Sequence, residues 1–166
     1  TGWTPAQAWR NAFQARVMMN PSGTIGEILV NKGSNVWSIS LKATVFDAIE
    51  LMADKNVGAL LVMDEGRLVG IISERDYTRK VALKGKSSKE TAVGEILSGQ
   101  LIQVTTDHTV EDCMRLMTEH RVRHLPVMRG DNVVGVISIG DLVNWIISAQ
   151  SNRIEQLQTY IAGYPA

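Results

Sequence analysis

The sequence predicts an α/β fold of the α+β kind. It is one small unit built twice, the copies related by pseudo-twofold symmetry, each a short sheet flanked by helices, with further helices at both chain ends. Three observations carry this. Val45-Phe46-Asp47-Ala48-Ile49-Glu50-Leu51-Met52 returns as Val110-Glu111-Asp112-Cys113-Met114-Arg115-Leu116-Met117. At the same spacing and without a gap, Val57, Leu60, Val62, Gly70 and Asp76 return as Val122, Leu125, Val127, Gly135 and Asp141. Within each copy the apolar period changes from helical to strand-like and back. Two copies, each longer than a solenoid repeat, make a pair and not an array.

Composition narrows the classes. A chain of 166 residues holds one compact domain or two fused half-domains with a real core. Seventeen basic residues balance 17 acidic ones, which argues against general nucleic-acid binding, since that needs a dominant basic footprint. The single cysteine, Cys113, excludes an internal disulfide framework. It falls on the apolar stripe of its helix beside Met114 and reads as core. No Cys/His group has zinc-ligand spacing, and no apolar run approaches the roughly 18 residues that would span a bilayer. A soluble intracellular protein without a membrane partner is expected.

Taken in order, residues 1–23 read as a helical arm. Thr4 caps it, Pro5 takes the first helical position and Gln7 completes the box. Trp9, Phe13 and Val17 recur every four residues until Asn20-Pro21. Arg10 and Arg16 are present and no acidic residue precedes Glu27. That pattern fits an amphipathic arm packing on the body or on a second subunit. It also fits the trimmed end of an organellar transit peptide, which would make the protein mitochondrial or otherwise organellar; without such a peptide it would be cytoplasmic.

The first unit spans 24–83 and the second 92–148. Thr44 and Thr109 cap helices, each followed three residues on by an aspartate, Asp47 or Asp112. Strands are predicted from Gly58 to Met63 and Leu68 to Ser73, and again from Arg123 to Met128 and Val133 to Ser138. Pro126, which cannot donate to a ladder, predicts an edge or a bulge there. Residues 84–91 form the linker, beginning Lys84-Gly85-Lys86-Ser87-Ser88-Lys89. A last helix is predicted from Ser138 to Ile161, with Gly163 and Pro165 as stop signals and 149–166 extending past the unit. Ile147, Ile154, Leu157 and Ile161 continue its apolar stripe, which needs a surface to pack on. A homodimer supplies one.

Two junctions carry the chemistry: Gly70-Ile71-Ile72-Ser73-Glu74-Arg75-Asp76 and Gly135-Val136-Ile137-Ser138-Ile139-Gly140-Asp141. Each is an apolar strand ending on a serine, with an aspartate in the first turn of the following helix. Ser-x-x-Asp is a capping box, in which the serine oxygen accepts a first-turn N–H and the carboxylate reaches back to the cap. The same geometry suits a nucleotide. Unpaired N–H groups and the helix dipole attract phosphate, and the carboxylate can accept ribose hydroxyls. The two roles are compatible. No nucleophile–base pair or cluster of metal-binding carboxylates accompanies the junctions, so an enzyme is not expected.

The repeated G-h-h-S-x-x-D text resembles the signature of CBS domains, which work in tandem pairs called Bateman modules. Over about Thr24 to Ser148 the chain is similar to stand-alone CBS-pair proteins of bacteria and plant organelles. The resemblance implies two clefts between the repeats that bind AMP, ADP, ATP or NAD, with no cofactor required. It also implies a homodimer and a regulated protein partner, such as a thioredoxin or a metabolic enzyme. For the second cleft it implies Asp141 on the ribose, with Ser138, Ile139 and Gly140 on the phosphate side. Val36, Trp37, Val57 and Gly58 would complete that adenine pocket, Trp37 being otherwise core. Arg123 and His124 occupy a strand position at which relatives place basic phosphate contacts. The first cleft would use Asp76, Ser73 and Arg75, with Ile102 to Val104 beside the adenine. Gly58-Ala59 replaces Arg123-His124 in the first repeat, so unequal clefts are expected. His108 and His120 read as surface residues.

Overall fold

The structure is a computed structural model that describes residues 23–97 and 99–162. The predicted arm with Trp9, Phe13 and Val17, and the stop at Gly163 and Pro165, lie outside the described residues. In chain order the elements are α1 (Ile25–Lys32), β1 (Ser38–Ser40), α2 (Val45–Lys55), β2 (Ala59–Asp64), β3 (Arg67–Ser73) and α3 (Glu74–Lys80). A 3-10 turn (Ala82–Lys84) follows, then α4 (Val93–Ile96), β4 (Val104–Thr105), α5 (Val110–His120), β5 (His124–Arg129), β6 (Asn132–Ser138) and α6 (Ile139–Ala162).

Local chemistry sets the helix ends. Thr44 Oγ1 accepts the Asp47 N–H at 3.1 Å while the Asp47 carboxylate accepts the Thr44 N–H at 3.1 Å. Thr109 and Asp112 repeat this at 3.1 Å each way. Both helices stop one residue into the left-handed region, at Asn56 (φ 52°) and Arg121 (φ 54°). Asparagine is at ease there; arginine is held there by the fold.

Each sheet has three strands, in the orders β1-β2-β3 and β4-β5-β6, with a parallel outer pair and an antiparallel hairpin. Pro126 is therefore on a central strand and not at an edge. A register shift follows at Val127/Met128, but its counterpart at Val62/Met63 has no proline, so the bulge belongs to the fold and not to Pro126. What lets proline in is its facing. Ile139 N–H donates to the Arg123 carbonyl at 2.9 Å. Since the antiparallel ladder alternates, Leu125 and Val127 face β6 and Pro126 faces β4. In the first repeat Leu61 stands at this position and donates its N–H to the Trp37 carbonyl at 3.0 Å. Pro126 has none to give, and β4 has two residues where β1 has three.

The cores cross the boundaries of the repeats. Ile25 and Ile28 of α1, in the first repeat by sequence, are buried with Val110, Cys113, Leu125, Val127, Ile137 and Leu142 of the second. Val93 and Ile96 of α4 are buried with Val45, Met52, Leu60, Val62 and Ile72 of the first. Backbone bonds fix the exchange, from Ile25 N–H to the His108 carbonyl and from Val45 N–H to the Thr91 carbonyl, both 2.9 Å. The motif glycines make room for it. A Cβ on Gly135 would lie 2.6 Å from Leu29 Cδ2, and one on Gly70 would lie 3.1 Å from Leu97. Each lent helix thus presses a leucine onto the bare backbone of its host strand.

The final helix, α6, has 24 residues and at 1.5 Å rise is about 36 Å long. Leu142 near its start is fully buried, whereas Ile147, Ile154, Leu157 and Ile161 are each more than half exposed.

Candidate functional site

Both serine–aspartate junctions sit where a hairpin strand passes into a helix. Ser73 Oγ accepts the Asp76 N–H at 3.3 Å, and Asp76 Oδ2 accepts both the Ser73 N–H and the Ser73 hydroxyl at 2.9 Å. Ser138 Oγ accepts the Asp141 N–H at 3.2 Å, and Asp141 Oδ2 accepts the Ser138 N–H at 2.8 Å. The capping boxes expected from the sequence are complete in both copies.

Each carboxylate also holds a lysine. Lys32 Nζ donates to Asp141 Oδ2 at 2.6 Å and to the Val136 carbonyl at 2.8 Å. Lys80 Nζ lies 2.9 Å from Asp76 Oδ1 and donates to the Ile96 carbonyl at 3.0 Å. Burial alone would raise the Asp141 carboxyl, but the hydrogen bonds from Lys32 and the Ser138 backbone, with the lysine charge, hold it below the usual carboxylate range.

Around Asp76 the two repeats enclose a cavity of about 710 Å³. The first repeat lines it with Gly58, Ser73, Arg75, Asp76, Arg79 and Lys80; the second contributes Ile102, His120, Arg121, Arg123 and His124. Arg123 and His124 thus stand opposite Asp76, on the first cleft. Ser73, Arg75 and Ile102 are here as expected, and Gly58 joins them instead of standing apart with Val36, Trp37 and Val57. A Cβ on Gly58 would touch the His124 ring at 3.9 Å, an ordinary contact distance, so the two residues are neighbours across the cavity. Burial is the largest influence on His124 and pushes its pKa down; Lys32 and Arg123 act the same way, against Asp141 and Glu74. His124 therefore feels charged groups at both junctions, and its Cα partner in the sheet is Ser138.

The other expected site residues lie elsewhere. Val104 is 1 % exposed in the second core, so its side chain packs and is not offered to a ligand. Val57 packs against the first core. Trp37 is not core: it is 40 % exposed, with Lys55 Nζ 4.8 Å from its ring centroid. Val36 is half-buried beside it. Ile139 leans on the second core, and Gly140 is exposed near Ser138. Cys113 is core as read, fully buried and with its thiol pushed up to about 12, mainly by burial. His108 Nδ1 accepts the Thr105 N–H at 3.0 Å.

Arg79, Lys80, His120 and Arg121 were not legible as cleft residues, although Arg79 and Lys80 follow Asp76 at helical spacing. Lys32 had no local signal at all, because its partner is Asp141. No group of residues able to hold a metal ion occurs among the described residues. No described helix is long and apolar enough to cross a membrane.

The family model described as CBS domain matches twice, at residues 25–83 and 93–148. The chain belongs to the CBS-domain family. The CBS domain-containing protein CBSX3, mitochondrial, of Arabidopsis thaliana is 40 % identical over 152 residues, 86 % of this chain and 73 % of that protein. A solved protein with CBS domains from Burkholderia ambifaria is 46 % identical with a TM-score of 0.73, covering 76 % of this chain and 95 % of that one. The hexameric CBS-CP12 protein from bloom-forming cyanobacteria is 32 % identical with a TM-score of 0.66, covering 74 % and 70 %. A CBS pair of the regulatory-module family, with the α+β fold expected from the duplicated text, is therefore shown.

Proposed function

We propose that this CBS pair binds an adenine nucleotide (AMP, ADP, ATP or NAD) and regulates a protein partner, without catalysing a reaction itself. One observation carries the reading. A carboxylate and a serine at a helix N-terminus, Asp76 and Ser73, share a cavity of about 710 Å³ with Arg75, Arg79, Arg121 and Arg123. The volume suits a nucleotide-sized ligand. The carboxylate suits ribose hydroxyls, and guanidinium groups suit phosphates through charge-assisted, often bidentate bonds. The excess of cations favours ligands with two or more phosphates over adenosine.

Regulation through a partner, such as a thioredoxin or a metabolic enzyme, fits a family of modules without a catalytic set. The exposed stripe of Ile147, Ile154, Leu157 and Ile161 supports assembly into a homodimer. That the cyanobacterial relative is hexameric supports self-association of such units. The mitochondrial relative supports an organellar setting. A second reading, a ligand-independent dimeric adaptor, has its own support: both Ser-x-x-Asp motifs are fully occupied as capping boxes.

Mass spectrometry of nucleotides that co-purify, followed by calorimetric titration with AMP and ATP, separates the readings. The nucleotide reading expects a bound adenylate and tighter ATP than AMP. No heat and no thermal shift with AMP, ADP, ATP or NAD would leave the adaptor.

A further inference from the structure

A helix cap needs no lysine, yet each motif aspartate holds one. Lys32 and Lys80 do not occupy equivalent positions: Lys32 ends α1, and Lys80 ends α3. Each nonetheless touches a helix that crosses between the repeats. Lys32 rides on the helix lent to the second repeat and reaches Asp141 and the Val136 carbonyl of its host. Lys80 rides on the first repeat's own motif helix and reaches Asp76 and the Ile96 carbonyl at the end of the helix that the first repeat receives. Only Lys32 makes its joint through the carboxylate, because Asp76 and Lys80 share α3.

We propose that Lys32 is a clasp. It ties the lent helix α1 to its host through the carboxylate that a ribose has to take, so that filling the second cleft loosens the end of that helix. The proposal rests on the nucleotide reading and adds how occupancy leaves the cleft.

The acceptor positions support it. A carboxylate oxygen has two lone-pair sites. Those of Asp141 Oδ2 are taken by Lys32 and the Ser138 N–H. Those of Asp76 Oδ2 are taken by the Ser73 N–H and hydroxyl, with Lys80 on Oδ1. A cis-diol that uses both oxygens takes a position held by the cap or the ammonium. The ammonium is the cheaper to move, since Lys32 is 36 % exposed and water can take it back, whereas moving the cap gives up the Ser138 N–H bond that closes the start of α6. Once Lys32 loses Asp141, its bond to the Val136 carbonyl is the remaining side-chain tie, and Ile25, Ile28 and Leu29 still hold α1 in the second core. Only the last turn of α1 and the exposed stretch 33–35 are loosened. Gly33, at φ 89°, is the natural hinge there.

The test is Lys32→Met in the full chain, read by amide hydrogen exchange and by titration with adenosine, which has the ribose but no phosphate for Lys32 to attract. Faster exchange over residues 30–35 in the ligand-free variant, and in wild type once adenosine is added, supports the clasp. So does a roughly 1.5- to 5-fold tighter adenosine complex at the Asp141-dependent site, the size expected when a part-exposed ion pair need not be broken. Adenosine binding wild type and variant equally, with unchanged exchange, overturns the clasp while leaving the nucleotide reading intact. Weaker adenosine binding to the variant overturns it by making Lys32 a ligand contact. Absence of adenosine, AMP and ATP binding to both proteins overturns the nucleotide reading, and the release with it; ATP binding with unchanged exchange over residues 30–35 overturns the release alone.

Discussion

The two repeats follow the same path and differ at the turn into the central strand. Asn56-Val57-Gly58-Ala59 in the first stands where Arg121-Val122-Arg123-His124 stands in the second. The matched positions are those that fold the chain: the capping threonines, the buried valines and leucines, and the glycine under each leucine. Of the unmatched ones, Gly58, Arg121, Arg123 and His124 line the cavity. From this turn of the second repeat Arg121, Arg123 and His124 enter the Asp76 cleft, and the first repeat has no basic side chain at the same turn. Duplication preserved the packing, and substitution at one turn gave the Asp76 cleft basic side chains that the first repeat does not supply in return.

The largest expected effect tests that inequality. Asp76→Asn keeps the size and much of the capping ability of the aspartate. It should cost roughly 1.5–3 kcal/mol of ATP binding, the worth of charge-assisted hydrogen bonds, or about 10- to 150-fold in Kd. Arg123→Ala should weaken ATP more than adenosine at the same site. Asp141→Asn should leave that site unchanged. Calorimetric titration of the three variants decides it, and equal losses for Asp76→Asn and Asp141→Asn would erase the distinction between the clefts.

A structural asymmetry comes next. A methyl on Gly135 comes within 2.6 Å of Leu29, against 3.1 Å between Gly70 and Leu97. Gly135→Ala should therefore destabilise more than Gly70→Ala, by about 1–3 kcal/mol for overpacking of this kind. Urea unfolding measures both. A larger loss at Gly70 would mean that the α4 contact is the tighter one.

The smallest effect is on pH dependence. Folding holds the His124 pKa below its ordinary value, so the unfolded chain binds its proton first as pH falls. The histidine contribution is complete above about pH 6.5, the unfolded value, and is lost as pH drops from there through the folded pKa. The Asp141 carboxyl, also lowered, gives way only further down, as pH falls from the unfolded value of 3.8 through its folded pKa. Melting temperature recorded from pH 7.5 to 5 should decline more for wild type than for His124→Gln. Parallel curves would show that the imidazole is indifferent to folding.

Much of this was legible in the sequence because its causes are local. A threonine followed three residues later by an aspartate caps its own helix, and alternating apolar residues around Asp64-Glu65-Gly66-Arg67 make a hairpin whatever surrounds them. Leu157 and Ile161 announced an uncovered helix face in the same way. The remainder depends on distance. No periodicity tells that Ile28 is buried in the second core, or that Lys32 finds Asp141. Trp37 was misread because aromatic residues are usually buried, and here a lysine covers one face of the ring instead. The edge expected for Pro126 failed because facing, and not position in the sheet, decides whether a missing amide matters. Arg123 and His124 were legible as basic side chains beside a cleft, but not that they line the cavity around Asp76, which only the packing of the two repeats decides.

That exchange of α1 and α4 bears on what counts as the indivisible part of the molecule. A nick in the Lys84–Lys89 linker would leave two fragments, each missing the plug for its own interior and carrying the plug for the other. The first would have no Val93, Ile96 and Leu97 to close over Met52 and Leu60; the second would have no Ile25, Ile28 and Leu29 to close over Cys113 and Leu125. Neither half is then a module in its own right. The pair gains or loses its structure together, and a disturbance at one interior is felt as a vacancy in the other.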